Sequence, residues 1–142
     1  MRCVDAVPNS KTEFQNGSGE KSPDISARSY QYALRAIALY QHLQKQHDGA
    51  GWIIGKQFLK SATSIGANIE EAQGSESRAD FIHKIGIAQK EARESLFWLR
   101  LLSDSRIVPR SRLEPLMREN QELIAVITTI VVNTKRKRGR TE

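Results

Sequence analysis

From Ile25 almost to the C-terminus, apolar residues recur every three or four positions, and no strand-period alternation competes with them. That period places them on one side of an α-helix. Helix 2, over 52–73, presents Ile54, Phe58, Ala62, Ile65, Ile69 and Ala72, and Gly74 stops it. Helix 3, over 78–103, aligns Phe81, Ile85, Ala88, Ala92, Leu96 and Leu99 behind Ser77 and Asp80, which resemble a capping box. Helix 4, over 111–133, repeats Leu113, Leu116, Asn120, Leu123, Ile127 and Ile130. In helix 1, over 25–47, Tyr30, Ala33, Leu34, Ile37 and Tyr40 share a face, and Gly49 and Gly51 then break the chain. Four amphipathic helices with short links predict an all-α, antiparallel up-down-up-down four-helix bundle over residues 25–133.

The rest of the 142 residues reads as two polar ends. Residues 1–24, rich in Asn, Ser, Gly, Lys and Glu, have little to bury and are expected to be a disordered extension. Residues 134–142 hold Lys135, Arg136, Lys137, Arg138 and Arg140 against Glu142, a net of +4 within a total of +6. A basic tail on a nearly balanced body is the expected charge layout, and pooled positive charge points to a polyanionic partner. No apolar run is long enough to span a bilayer, no secretory leader pattern opens the chain, and Cys3 is the sole cysteine. The expected location is cytoplasmic, without a membrane.

Catalysis finds little support in the residue pattern. A di-metal bundle needs a Glu-x-x-His on each of two helices, and the nearest approach is Asp80-x-x-His83 on the outer side of helix 3. Glu70 and Glu71 are adjacent and diverge by about 100° on a helix, so they form no acid/base pair. Asn120, a polar residue in an apolar seam, reads as a register-setting group. We expect no enzyme activity, no cofactor and no metal.

Two features exceed what one bundle core requires. Helix 2 carries the run "SATSIGAN", in which Ala62 and Gly66 let a neighbouring helix approach while Ser64 and Asn68, with Gln57 and Ser61, could hydrogen-bond across the contact. Packing inside the bundle is the leading reading and a ligand-binding stripe the alternative. Helix 1 has a second apolar stripe, Tyr32, Ala36, Leu39 and Leu43, and helix 3 has Ile87, Trp98 and Leu101 turned away from its core face. Helices apolar nearly all round are normally buried all round, so Tyr32, Leu39, Leu43, Ile87, Trp98 and Leu101 are expected at an oligomer interface. The alternative places them at the edges of the single core.

The stretch "SATSIGANIEEAQGSESRADFIHKIGIAQKEARESLFWLRLL", residues 61–102, resembles the four-helix bundle family known as the 23S rRNA intervening-sequence proteins. Its most specific pieces are Ser64 to Glu71, Asp80-Phe81, Lys90-Glu91-Ala92 and Trp98 to Leu102, within a resemblance spanning roughly residues 28–133. The resemblance implies a small antiparallel bundle assembling as a homopentameric ring with a basic character suited to nucleic acid. Some members are encoded within intervening sequences of 23S rRNA genes. A related branch serves as the accessory protein of diversity-generating retroelements and associates with a reverse transcriptase and RNA. In a ring of five the formal charge is five times +6, or +30. The expected function is therefore non-enzymatic binding of RNA, or of a nucleic-acid-handling partner such as a reverse transcriptase, through Lys135, Arg136, Lys137, Arg138 and Arg140, with helix-borne Lys56 and Lys60 as further contacts. The competing class is a structural or protein-interaction adaptor that binds no nucleic acid.

Overall fold

The structure, a computed structural model, describes residues 24–141, with side chains to residue 137. Four helices account for nearly all of it: α1 Ile25–Lys45, α2 Gly49–Gln73, α3 Arg78–Asp104 and α4 Arg110–Thr141. Three of the helix starts are fixed by side-chain caps, which satisfy amide protons that the first turn leaves unpaired. The Asp24 carboxylate accepts from Ser26 N at 3.0 Å, Asp48 from Gly51 N at 2.7 Å, and the Ser77 hydroxyl from Asp80 N at 3.0 Å. Residues 1–23 of the expected N-terminal extension lie outside the described residues.

The helices pack in a cycle, α1 on α2, α2 on α3, α3 on α4 and, less extensively, α4 on α1. Contacts run in opposite directions along successive helices. Gly55 of α2 meets Leu43 near the end of α1, whereas Gly66 meets Ser29 and Gln73 meets Ser26 near its start. Ser95 pairs with Asn120 and Gln89 with Thr128, so α3 and α4 are antiparallel too. Each helix thus sends its apolar face inward against two neighbours, and the buried side chains form one continuous core.

The core faces expected for α2, α3 and α4 are the observed ones: Phe58, Ala62, Ile65, Ile69 and Ala72; Ile85, Ala88, Ala92 and Leu99; Leu113, Leu116, Leu123 and Ile127. On α1 the two stripes are exchanged. Tyr32, Ala36, Leu39 and Leu43 are fully buried, while Tyr30 and Ile37 stand 62% and 39% exposed. The Tyr32 stripe is the one the other helices complement: the Tyr32 hydroxyl meets Asn120 of α4 and Ser95 of α3, and Arg28 beside it forms a two-pronged ion pair with Glu119 of α4, at 2.9 and 3.0 Å. Its charge is satisfied across the helix contact, so this side of α1 can face inward.

Two boundaries also move. Helix α2 begins at Gly49, earlier than expected, because Asp48 caps it and Gly51 serves packing: a Cβ there would lie 2.9 Å from Ile107. The reversal before it is made at His47, whose φ of 55° is left-handed. Helix α4 continues to Thr141, so the basic segment expected as a tail after Asn133 is a helical extension. No helix among the described residues is long and apolar enough to cross a membrane.

Candidate functional site

At the centre of the bundle, α1, α3 and α4 contribute one polar side chain each. Asn120 Nδ2 donates to Tyr32 Oη at 2.6 Å and to Ser95 Oγ at 2.9 Å, and the two hydroxyls bond each other at 2.5 Å. All three residues are fully buried. The two amide protons and one hydroxyl proton fill these bonds, and Asn120 Oδ1 has no partner among the described residues. Burial holds the Tyr32 phenol far above its ordinary pKa, so it stays neutral. This is a closed, buried cluster that ties three helices at one level, in the apolar seam where Asn120 is expected to set register. Tyr32 and Ser95 were the partners that spacing alone left unnamed.

The small-residue stripe of α2 is a packing surface at Gly66, where a Cβ would lie 3.4 Å from Ser29 Oγ and 3.5 Å from its carbonyl carbon and oxygen. Ala62 is fully buried beside it. The polar members do not bridge to a neighbour as expected. Ser64 Oγ donates to Lys60 O at 2.7 Å, Asn68 Nδ2 to Ser64 O at 2.7 Å, and Ser61 Oγ to Gln57 O and Phe58 O, all within α2. Short hydroxyl and amide side chains satisfy themselves on the preceding turn when the facing helix offers mostly apolar groups.

The interface residues expected from the sequence divide into two groups. Tyr32, Leu39 and Leu43 are core and have no surface to offer a second chain. On α3, Leu101 is 37% exposed beside Phe97, itself 49% exposed, while Ile87 and Trp98 are half-buried. Phe97 and Trp98 meet edge to face with centroids 5.0 Å apart, and the buried Trp98 Nε1–H has no acceptor among the described residues. The outer face of α1 is the other apolar surface. Ala27, Tyr30, Ala33, Leu34, Ile37, Ala38 and Gln41 follow one another there at helical spacing with no charged residue among them. Depletion of charge around exposed aromatic and aliphatic groups is the composition of an interface core.

The cationic residues expected to contact nucleic acid fall in two separate places. Lys135, Arg136 and Lys137 are exposed on the last turns of α4; Arg138 and Arg140 continue the same helix, and their side chains lie outside the described residues. On α2, Lys56 and Lys60 are exposed one turn apart, with Lys56 Nζ 3.3 Å from the centre of the Trp52 ring. Along α2, the level of Lys56 is about 25 Å from that of Gln73 at the α4-terminal end. Among the described residues no group of three His, Cys, Asp or Glu side chains is arranged to hold a metal ion.

The family model for the 23S rRNA-intervening sequence protein matches residues 21–129. A crystal structure of a protein of unknown function from the S23 ribosomal protein family of Bacteroides thetaiotaomicron is similar over 76% of this chain and 98% of its own, at 38% identity and a TM-score of 0.72. A search of curated proteins finds no match. With the match covering most of the bundle and a solved relative sharing its helical plan, this chain belongs to the 23S rRNA-intervening sequence protein family.

Proposed function

We propose that this protein is a non-enzymatic bundle that associates with copies of itself and binds RNA through positive charge pooled from several chains. The observation that carries the RNA reading is the cationic end of α4, where five basic residues lie within six positions of one helix. Cations near a helix C-terminus also complement the helix dipole, but that effect is confined to the last turn and one or two charges are enough for it. Self-association rests on the uncharged outer face of α1 and on Phe97 and Leu101 of α3. These helices are diagonal in the bundle, so a contact joining one face to the other is head-to-tail and generates a ring where the rotation closes. A homopentamer is one such ring, and in it weak contacts from each chain become multivalent. A nucleic-acid-handling protein such as a reverse transcriptase would fit the same assembly.

Fluorescence anisotropy of a labelled single-stranded RNA across a salt series tests the reading. If four or five side chains of the α4 end neutralise phosphates, they contribute about −3 to −3.5 to the slope of log affinity against log salt. Removing residues 134–142 should flatten the curve by that amount per engaged chain. Equal slopes for both proteins would clear the α4 end of any role, and absence of RNA binding in both would favour a protein-interaction adaptor.

A further inference from the structure

Beside the α1–α2 turn lies a cavity of about 320 Å³ lined by Leu43, Gln44, His47, Asp48, Gly49 and Trp52. We propose that this cavity and the Trp52–Lys56 pair form a stacking site for an unpaired base of single-stranded RNA, a second contact region remote from the α4 end. The inference rests on the RNA-binding reading and adds to it a base-contacting residue, Trp52, where the α4 end offers only charge.

Trp52 is a large aromatic residue left 41% exposed at a helix start, where the glycines of the first turn keep the backbone slim around it. Its ring borders the cavity and is also covered by the Lys56 ammonium. Trp52, Lys56 and Lys60 follow at four-residue intervals, so the two lysines are rooted about 6 Å apart along the axis, comparable to the spacing of successive phosphates in an extended strand. From Gly49 to Ile69, α2 carries these two lysines and no acidic residue. Asp48, at the cap, is engaged by Gly51 N, and Glu91 of α3 is the carboxylate that feels Lys60. Lys56, over the ring, is therefore the cation this site offers to a phosphate.

A flat ring, adjacent cations and a half-open cavity match the way unpaired bases are held, by stacking on an aromatic side chain while lysines follow the backbone. The rim adds polar edges. Gln44, which donates through Nε2 to Tyr40 Oη at 3.3 Å, and His47, whose backbone is left-handed, both line it. Since every base has a π-face, such a site takes any sequence, and its ligand class is single-stranded RNA as opposed to duplex, whose bases are already stacked.

The test uses the full chain with Trp98→Phe, so that Trp52 is the sole emitter, and a short labelled oligouridylate at low salt. Indole emission should be quenched in proportion to the anisotropy rise. In the otherwise unaltered chain, Trp52→Leu should weaken binding about tenfold with an unchanged salt slope, and Lys56→Gln should reduce the slope by about 0.7. Circular dichroism checks that each variant keeps its helices; should Trp98→Phe not fold, the affinity of Trp52→Leu decides alone. RNA binding that leaves Trp52 emission and the Trp52→Leu affinity unchanged overturns the stacking site while the RNA reading stands. Failure of the unaltered chain to bind any RNA removes that reading and the site with it.

Discussion

Replacing Gly66 in two steps separates helix propensity from helix packing at one point of the α1–α2 contact. An added Cβ would rest 3.4 to 3.5 Å from the Ser29 hydroxyl and carbonyl group, which is contact without serious overlap. Gly66→Ala should therefore keep most of the propensity difference of about 0.8 to 1 kcal/mol between Gly and Ala, and stabilise the bundle by about 0.5 to 1 kcal/mol. Gly66→Leu adds three more carbons where the neighbour is the backbone of α1, which cannot rotate away as a side-chain tip can. Overpacking of this kind costs about 1 to 3 kcal/mol, so Leu should fall below both Ala and the native Gly. Gly55 gives a contrasting case, because a Cβ there would lie 2.8 Å from Cδ1 of Leu43, which must turn aside, so Gly55→Ala should gain less than Gly66→Ala. In a domain of this size 1 kcal/mol corresponds to about 3 to 5 °C in Tm, within reach of thermal melting by circular dichroism. A Gly66→Leu protein as stable as Gly66→Ala would show that α1 does not pass where the structure has it.

The outer face of α1 is tested by Tyr30→Glu with Ile37→Glu, which should dissociate the assembly in light scattering while helicity is retained; Leu39→Glu, which places a carboxylate in the core, should unfold the chain instead. Tyr32→Phe removes the hydroxyl that accepts from Asn120 and bonds Ser95, and should cost about 1 to 3 kcal/mol by denaturant unfolding, since Asn120 then buries an unused N–H. Partial burial, then Glu94, raises the Glu91 carboxyl above its ordinary value of 4.5. The folded state therefore favours the protonated acid, and its contribution to stability is present below 4.5 and lost as pH rises through the raised value. Glu91→Gln should accordingly melt higher than the native chain at neutral pH, with the difference disappearing in acid; a constant difference across the range would rule out this ionisation as the cause.

Most of the fold is written in the three-four spacing of α2, α3 and α4, where one apolar stripe runs longer than any other on the helix, so that period and direction are set together. In α1 the period is equally clear, but Tyr30–Ile37 and Tyr32–Leu43 are two stripes of similar apolar content. Spacing defines both and orders neither. The contacts that join the buried stripe to α4, Tyr32 with Asn120 and Arg28 with Glu119, link residues 88 and 91 positions apart and have no local signature. The glycines before Trp52 misled for a related reason: they read as breakers, yet the approach of Ile107 requires one of them at position 51. The basic residues were visible by composition, whereas their continuation of α4 depends on a segment of weak amphipathic pattern. Trp52 could have been found from its spacing with Lys56 and Lys60, an aromatic and two cations on one helix side.

The central claim is that several copies of this bundle together hold RNA, and its most direct measurement is the mass and nucleic-acid content of the complex isolated from its own cells. Light scattering combined with absorbance at two wavelengths gives both quantities on one sample. The expected result is a particle several times the 16.0 kDa of one chain that carries RNA and loses it at high salt while the protein mass persists. A particle of single-chain mass, free of RNA at low salt, would contradict both the assembly and its proposed use.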